Sequence, residues 1–286
     1  MYKSGFVAIV GLPNSGKSTL INQLVGHKVT IVTHKVQTTR KNILGIVTTD
    51  KCQIILIDTP GVFRAKTSLG VSMVKSAWMS HKKADITILM IDASCKRNDD
   101  IDQILLNLDK DKKKHLVLCL NKIDQLKKTK LLKLSMSLYS KLDFKRVFMI
   151  SALRGLGLKS LKEYLSFALP YGPLLYPRNQ ISNLSHCNMI EEVVREKVFL
   201  NIHQELPYLI FVKTNHLEIQ KNGSFFVYLT IYVDRNTQKY IVLGKKGETI
   251  RRISIQARKD LELFFNQKIQ LYIFIKVDKY YQCKYI

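Results

Sequence analysis

The feature that most constrains the fold of this chain is a glycine-rich segment near its N-terminus, with the sequence Gly11-Leu12-Pro13-Asn14-Ser15-Gly16-Lys17-Ser18. The segment matches the pattern G-x-x-x-x-G-K-[ST], follows an apolar run at 5–10 and opens a predicted helix at 17–26. In that context backbone N–H groups and the N-terminus of a helix point at phosphate groups. We therefore predict a nucleotide phosphate site rather than a chance glycine turn before a helix.

The residue types in this segment suit phosphate and magnesium. Gly11 and Gly16 let the backbone approach the phosphates closely. Lys17 is expected to neutralise the β- and γ-phosphates, and Ser18 to bind Mg²⁺ through its hydroxyl group. Nucleotide contacts are predicted along the whole stretch from Gly11 to Thr19.

The first ~170 residues alternate between short apolar runs and amphipathic stretches, which predicts a doubly wound α/β sheet. Strands are predicted at 5–10, 43–48, 53–58, 86–92, 115–120 and 146–150, and helices at 17–26, 68–80, 99–109, 129–141 and 157–168. The strands are nearly continuous in hydrophobicity, as expected for strands buried on both faces of a mostly parallel sheet. Ligands should therefore bind beyond the carboxyl ends of the strands.

A second phosphate-facing segment, Asp58-Thr59-Pro60-Gly61, ends the third predicted strand. A carboxylate at Asp58 can hold Mg²⁺, usually through a water, and the amide of Gly61 can contact the γ-phosphate and so sense its loss. The alternative is an ordinary Pro-Gly turn after a strand. We predict nucleotide contacts from Asp58 through Val62.

The base is predicted to be guanine, because Asn121-Lys122-Ile123-Asp124 follows an apolar strand. The carboxylate of Asp124 can accept two hydrogen bonds from the guanine ring N–H and exocyclic amine, whereas adenine would leave it poorly paired. Asn121 is expected to tie this loop to the phosphate loop, and the Lys122 stem to cover the base plane. A backbone amide at Ser151-Ala152 could meet the guanine carbonyl. Each of these segments could instead be a solvated loop. However, four such segments in the right order along the chain, each following a strand, favour GTP and GDP over ATP.

A cluster formed by Pro170, Gly172, Pro173 and Pro177 predicts a linker, which divides the chain into a domain at 1–172, a linker at 173–187 and a domain at 188–286. The second domain shows a helix at about 188–204, strands near 208–219 and 225–234, a short apolar run at 240–243, a helix at about 248–265 and a strand near 269–277. This α-β-β-α-α-β order is that of the type II KH fold, a small α+β domain.

The segment Ile241 to Ile253 matches the KH signature, in which a G-x-x-G loop between two helices clamps a nucleic-acid backbone. The residues predicted to bind RNA are Gly244, Lys245, Lys246, Gly247, Arg251 and Arg252. The alternative is a glycine-capped helix junction with a solvated basic face. The surrounding element order favours RNA binding.

The formal net charge of +24 favours a polyanionic partner, either nucleic acid or an anionic membrane surface. Residues 1–172 carry +17 of this charge and residues 173–286 carry +7, so charge alone gives RNA binding modest support. None of the five cysteines forms a C-x-x-C pair or has metal-ligand spacing, which fits a reducing compartment. No run of 18 apolar residues and no signal peptide are found, so we expect a cytoplasmic protein. We also expect a monomer.

Residues 1–172 resemble the translation-factor-related GTPases, and the segment Val29 to Arg40 is similar to the first switch of the Era family. In that resemblance Thr39, or its neighbour Thr38, reaches Mg²⁺ when GTP is bound. His34 is a departure, because the family often has proline there. Arg195-Glu196-Lys197 and Ala257-Arg258-Lys259-Asp260-Leu261-Glu262 also resemble the family, and the resemblance spans about 5 to 276.

The Era resemblance implies binding to the 3′ end of small-subunit 16S rRNA during maturation of the 30S subunit, gated by GTP. It also implies peripheral contact with the inner membrane. The resemblance is weakest at 173–188 and at 278–286, where family members often carry a tryptophan-containing stretch.

Hydrolysis is expected to be slow, because Val62 stands where many GTPases have a glutamine that orients the attacking water. The resemblance to GTPases with a hydrophobic residue at that position implies that Asn14 helps to hold a K⁺ ion near the β- and γ-phosphates. The alternative is that Asn14 only shapes the turn. The residues predicted to take part in catalysis are Lys17, Thr39, Gly61 and Asn14, and the predicted Mg²⁺ ligands are Ser18, Thr39 and Asp58.

Three functions remain open at the level of the sequence. The first is a GTP-dependent ribosome-assembly factor in which the two switch segments reposition the KH surface. The second is an RNA-binding module whose nucleotide pocket is structural, with no turnover. The third is a membrane-associated GTPase in which the KH-like domain binds protein or lipid.

Overall fold

The computed structural model describes residues 1–33, 43–62, 68–95, 99–109, 115–202, 210–279 and 281. The chain divides into two compact units, Met1–Asn183 and Leu184–Ile286, so the division falls within the predicted linker at 173–187.

The first unit is built on a six-stranded sheet in the order β2-β3-β1-β4-β5-β6, in which only β2 runs antiparallel to its neighbour. Its strands are β1 (Lys3–Val10), β2 (Ile43–Thr48), β3 (Cys52–Asp58), β4 (Ile86–Asp92), β5 (His115–Asn121) and β6 (Arg146–Met149). Its helices are α1 (Lys17–Val25), α2 (Ser68–Lys83), α3 (Asp99–Asp109), α4 (Lys128–Tyr139) and α5 (Leu158–Ala168). The predicted doubly wound α/β fold is confirmed.

Hydrophobic clusters cover both faces of this sheet, which is why its strands read as nearly continuous apolar runs. Along β5, Val117 and Cys119 belong to one buried cluster, while Leu118 and Leu120 belong to the other. Successive side chains of a strand point to opposite faces, so most positions of these strands are apolar. Segments that follow the carboxyl ends of β1, β3, β5 and β6 can then form a cleft at one edge of the sheet.

Residues 175–181, within the predicted linker, pack along the antiparallel edge of this sheet. The fully buried Gln53 of β3 accepts hydrogen bonds from the backbone N–H groups of Leu175 and Tyr176, at 2.9 and 3.0 Å. The backbone N–H of Ile46 donates to the carbonyl of Ile181 at 2.9 Å. These bonds satisfy polar groups that an open sheet edge would leave unpaired.

The second unit has the order α6 (His186–Asn201), β7 (Phe211–Ile219), β8 (Phe225–Val233), α7 (Asn236–Leu243), α8 (Glu248–Phe265) and β9 (Ile269–Val277). Its sheet has the order β7-β8-β9, with β7 antiparallel and β9 parallel to β8. The predicted α-β-β-α-α-β order is confirmed. Helix α6 begins before the predicted residue 188 because the Ser185 hydroxyl accepts a hydrogen bond from the N–H of Asn188 and caps the helix.

A buried ion cluster joins α6 to α8. The Lys197 side chain is one-tenth exposed, and its Nζ lies 2.6 Å from an Asp260 carboxylate oxygen and 3.1 Å from one of Glu196. Burial disfavours the charged lysine, but these two carboxylates outweigh it, and the pKa of Lys197 is raised. The segments that resemble the Era family here therefore stabilise the packing of two helices.

Among the described helices, none combines the length and the hydropathy that crossing a bilayer requires.

Candidate nucleotide-binding site and nucleic-acid interface

A cleft of about 380 Å³ opens at the carboxyl ends of the strands in the first unit, a volume within the range of small-molecule sites. Its predicted lining residues are Pro13, Asn14, Gly16, Lys17, Ser18, Thr19, Gly61, Asn121, Lys122, Asp124, Ser151 and Ala152. Five residues that the sequence analysis did not predict also line it: Ile31, Val32, Thr33, Gln125 and Leu153. The cleft thus brings together the four predicted segments.

The remaining predicted residues lie behind the lining and hold it in place. Gly11 and Leu12 contribute backbone carbonyls, Asp58 holds Ser18, and Thr59 donates its hydroxyl to the carbonyl of Ile9 at 2.6 Å. The other members of this group, Ser15, Pro60 and Val62, are buried.

Two glycines of the phosphate loop are required by the packing around them. Gly16 has a φ of +99°, and a Cβ atom there would lie 2.3 Å from the Asn121 side-chain nitrogen. A Cβ at Gly11 would lie 2.2 Å from the carbonyl oxygen of Met90, a backbone atom that cannot move aside. The loop can therefore pass close to the ends of β4 and β5 only with glycine at both positions.

Lys17 begins helix α1 and is buried, with 6% of its surface exposed. Its Nζ donates hydrogen bonds to the carbonyl oxygens of Leu12 at 2.8 Å and Gly11 at 3.2 Å. Burial lowers the pKa of Lys17 to about 8, although the nearby Asp58 carboxylate opposes this shift. The ammonium group of Lys17 is thus held in the middle of the phosphate loop, where it would attract a bound phosphate group strongly.

Ser18 and Asp58 meet at the position predicted for Mg²⁺. The Ser18 hydroxyl donates to Asp58 Oδ2 at 2.8 Å, and Asp58 is fully buried. A hydroxyl and a carboxylate are the oxygen ligands that Mg²⁺ prefers, so these residues fit the ion together with nucleotide phosphates. The N–H of Val62 donates to the carbonyl of Gly11 at 3.0 Å, which joins the segment after β3 to the phosphate loop.

The side chain of Asn121, which is 2% exposed, connects three loops. Its amide nitrogen donates to the carbonyl of Ser15 at 2.8 Å, and its amide oxygen accepts from the N–H of Ala152 at 2.9 Å. The predicted tie between this residue and the phosphate loop is present. The second hydrogen bond fixes the loop after β6, so the phosphate end and the base end of the cleft are held as one piece.

Asp124 lies at the base end of the cleft, with a side chain that is 9% exposed. A hydrogen bond from the Ser151 side chain is the main reason that the pKa of Asp124 is lowered, and the Arg154 guanidinium, 3.4 Å away, contributes. The carboxylate is therefore ionised at neutral pH. An ionised carboxylate accepts hydrogen bonds and donates none, which matches the two N–H donors on the edge of guanine.

Lys122 has a left-handed backbone conformation, with a φ of +62°, and its Nζ lies 2.6 Å from Asp92 Oδ2. Burial would raise the pKa of Asp92, but hydrogen bonds from Lys122 and Ser94 lower it. The ion pair anchors the ammonium group while the lysine side chain lines the cleft. Asp92 was not among the residues predicted from the sequence, because no pattern along the chain pairs it with Lys122.

The predicted switch residues Thr38 and Thr39, together with His34 and Arg40, lie outside the described residues. The structure describes the first residues of the switch segment, Val29 to Thr33, and hydrogen bonds to helix α1 fix their position. The Asn22 side-chain oxygen accepts hydrogen bonds from the N–H groups of Val29 and Thr30, at 2.8 and 2.9 Å. Ile31, Val32 and Thr33 then line the cleft, so this segment enters the site from helix α1.

The second unit presents the Gly244-Lys245-Lys246-Gly247 loop between α7 and α8. Gly244 and Gly247 have positive φ angles of +73° and +78°, and Lys246 has +51°. A Cβ at Gly244 would lie 2.2 Å from Thr249 Oγ1 and 2.9 Å from the Thr249 backbone nitrogen. The four predicted basic side chains of the loop and of the following helix, Lys245, Lys246, Arg251 and Arg252, are all exposed. This is a tight glycine loop with cations around it, as backbone clamping requires.

Comparisons with known proteins agree with both units. A family model described as 50S ribosome-binding GTPase matches residues 6–122, and one described as KH domain matches 205–280. The GTPase Era of Mesorhizobium japonicum is 51% identical over 274 residues, covering 96% of this chain and 88% of that protein. The GTPase Era of Agrobacterium fabrum is 47% identical over 275 residues, covering 96% and 86%.

This chain belongs to the Era family of GTPases.

Solved Era structures have the same fold. A crystal structure of Era in complex with MgGDPNP and nucleotides 1506–1542 of 16S ribosomal RNA is 36% identical, with a TM-score of 0.91, and covers 97% of this chain and 94% of that one. Era of Aquifex aeolicus bound to GDP and AlF₄⁻ is 37% identical, with a TM-score of 0.90, covering 96% and 94%.

The low pKa of Lys17 predicts that nucleotide affinity depends on pH. Bound phosphates favour the protonated lysine, so binding above the free protein's pKa of about 8 requires uptake of a proton. The affinity for GDP should therefore fall by roughly sevenfold between pH 7 and 8.8. Titration with a fluorescent GDP analogue measures this.

The matched control is Lys17→Met, which has no ammonium group to titrate. It should bind more weakly at every pH and lose the decline above pH 8. If the two proteins show the same pH profile, Lys17 is not the titrating group.

Proposed function

We propose that this chain is a monomeric GTP-hydrolysing switch that binds the 3′ region of 16S rRNA and assists assembly of the 30S ribosomal subunit. The observation that carries the proposal is the presence in one chain of a cleft with an ionised carboxylate at Asp124 and of the exposed basic loop at 244–247. An Era protein of the same fold has been crystallised with both MgGDPNP and a 16S rRNA fragment, which supports the pairing of the two ligands.

In the first unit the chain's own residues bind and orient the nucleotide. Backbone N–H groups of the phosphate loop and the Lys17 ammonium stabilise negative charge on the β- and γ-phosphates. Ser18 and Asp58 would hold Mg²⁺, which when bound neutralises phosphate charge. Asp124 would accept the guanine N–H groups. The backbone N–H groups of Ser151 and Ala152 already donate to Leu156 and Asn121, so in this structure they hold the loop beside the base.

Intrinsic hydrolysis should be slow, because the residue after Gly61 offers no group that can orient water. Val62 is 8% exposed and packs in the hydrophobic cluster between the sheet and the helices. Its N–H is already bonded to Gly11. Acceleration must then come from additional charge at the phosphates or from a bound partner, and slow turnover suits a switch.

We expect K⁺ to supply part of that charge through Asn14. This residue lines the cleft in the left-handed conformation, with a φ of +60°. GTP hydrolysis should be severalfold faster in K⁺ than in Na⁺ at equal ionic strength, measured by phosphate release. Asn14→Gly, which tolerates the same backbone angle without the side-chain amide, should remove the difference. Equal rates of the unaltered protein in the two salts would contradict the K⁺ proposal.

RNA binding should depend on the glycine loop and on the nucleotide. Anisotropy with a labelled RNA of the 3′-terminal 16S sequence should show at least tenfold weaker binding for Gly244→Asp, which places a side chain against Thr249 and a charge against phosphates. Lys245→Glu should behave alike, whereas Lys130→Glu, the same charge change at an exposed position of α4, should have a small effect. The affinity should also differ between GDP and a non-hydrolysable GTP analogue.

Two outcomes favour the other functions. RNA affinity that is identical with GDP and the GTP analogue, without turnover of GTP, would indicate an RNA-binding module with a structural nucleotide.

Peripheral contact with an anionic membrane is supported by the net charge of +24. If vesicles containing anionic lipid release the RNA, and the loop variants bind those vesicles more weakly, the membrane is the preferred partner of the basic loop.

A further inference from the structure

The sheet of the second unit has an unusual outer face. Its inner face carries aliphatic residues of β8 and β9 that pack against the helices, including Val227, Leu229 and Ile231. The register places twelve residues on the opposite face, in four rows across β7, β8 and β9: Phe211-Tyr232-Lys276, Lys213-Thr230-Phe274, His216-Tyr228-Tyr272 and Glu218-Phe226-Gln270. We call these twelve residues the aromatic face.

Six of the twelve positions carry Phe or Tyr, in a chain whose overall aromatic content is 9%. The exposed side of an antiparallel pair of strands is ordinarily polar. Here Tyr272 is 42% exposed, Phe274 is 57% exposed and Tyr228 is 36% exposed. Aromatic cross-strand pairs stabilise sheets, but that role does not require rings that remain half exposed to water.

The rings are arranged to receive further flat groups. Tyr228 and Tyr272 lie on adjacent strands with their ring centroids 4.9 Å apart and their planes 12° apart. Tyr281, which follows β9, stacks on Tyr232 with centroids 3.6 Å apart and planes 10° apart, and it also contacts Phe211. The aromatic face therefore already binds one planar ring of this chain face to face, that of Tyr281.

The charges on the aromatic face favour an anionic partner. Lys276 lies on the outer strand β9, whereas the ammonium group of Lys213, on β7, is paired with Glu191 of α6 at 3.4 Å. The only carboxylate among the twelve positions is Glu218, in the last row. Glu218 lies 3.9 Å from the His216 ring nitrogen. No Leu, Ile, Val or Met stands at any of the twelve positions, so the aliphatic groups typical of a protein-binding core are absent from this face. Stacking rings beside ammonium groups are what single-stranded nucleic acid binds.

We propose that the aromatic face is a second RNA-binding site, on which unpaired bases stack against Tyr272 and Phe274 while Lys276 contacts phosphate. The proposal rests on the proposed RNA-binding function and adds a site separate from the glycine loop. Helices α7 and α8, which flank that loop, pack on the inner side of the sheet. Because β9 is an edge strand, RNA can pass from the helix side to the aromatic face around it.

The two sites differ in the RNA length that they require. A KH loop holds about four nucleotides, so an RNA of about six nucleotides fills the glycine loop alone, while one of about 16 can reach both sites. Both probes are unstructured, fluorescein-labelled RNAs of mixed sequence. Tyr272→Ala should weaken binding of the long RNA by about 5- to 100-fold, since one stacked base is lost, and leave the short RNA unchanged.

Three further variants make the test specific. Tyr272→Phe keeps the ring and should bind the long RNA as the unaltered protein does. Tyr139→Ala removes an equally exposed ring from α4 of the other unit, and binding of both RNAs should stay the same. Gly244→Asp should weaken binding of both RNAs. Circular dichroism and melting temperature establish that each variant folds.

Photocrosslinking with a long RNA containing 5-iodouridine should join uridines to Tyr272 or Tyr228, as located by mass spectrometry. Equal affinity of Tyr272→Ala and the unaltered protein for the long RNA would overturn the aromatic-face proposal while leaving the glycine loop intact. Loss of self-association in Tyr272→Ala, seen by sedimentation without a change in RNA affinity, would instead show a protein interface and overturn it. If Gly244→Asp binds both RNAs normally, the proposed RNA function of the loop fails on its own account.

Discussion

The nucleotide site depends on the side chain of Asn121. Its two hydrogen bonds join the phosphate loop at Ser15 to the loop at Ala152, and so hold the two ends of the cleft at a fixed distance. The same side chain occupies the space in which a Cβ of residue 16 would lie, which makes glycine necessary there. A buried amide with both its donor and its acceptor satisfied is rigid, because breaking either bond leaves an unpaired polar group at a cost of about 1–3 kcal/mol. The base and the phosphates of one nucleotide can therefore be recognised together.

Charge is arranged along the cleft in the order that a guanine nucleotide requires. The buried cation of Lys17 lies at the phosphate end, and the ionised carboxylate of Asp124 lies at the base end. Between them, the ammonium group of Lys122 is neutralised by Asp92, so it adds little net charge beside the base. A nucleotide with neutral N–H donors on its base and negative charge on its phosphates complements this arrangement.

Much of the nucleotide site could be predicted from the sequence, because its segments are recognised from residues that are close together along the chain. The phosphate loop, the turn after β3 and the Asn121 segment each follow a strand that is buried on both faces, and such strands are legible as apolar runs. Helix α7 was only partly predicted, as the apolar run at 240–243, because its first turn is polar. The structure shows that the Gln238 side chain accepts hydrogen bonds from the N–H groups of Asp234 and Arg235 and so begins the helix at Asn236. The pair of Lys122 and Asp92 was missed because it depends on the register between β4 and β5, which no local pattern encodes.

In the second unit, the residues that stabilise the fold pack on the inner face of the sheet, while those proposed to bind RNA lie in the glycine loop and on the aromatic face. Aliphatic side chains of β8 and β9 and the ion cluster at Lys197 fix the helices on the inner face. The core of this unit is therefore formed without the glycine loop, which lies on the helix side, and without the exposed aromatic residues on the other side of the sheet. A chain that only needed a stable KH fold would be served equally well by polar residues on the outer face.

The central claim is that one cleft recognises both the guanine base and the phosphates. Isothermal titration calorimetry with GDP and with ADP, in Mg²⁺ at pH 7, tests this most directly. We expect a saturating heat of binding for GDP and an affinity for ADP that is at least a hundredfold weaker, since adenine leaves the Asp124 carboxylate unpaired. Equal affinities for the two nucleotides, or no binding of GDP, would contradict it.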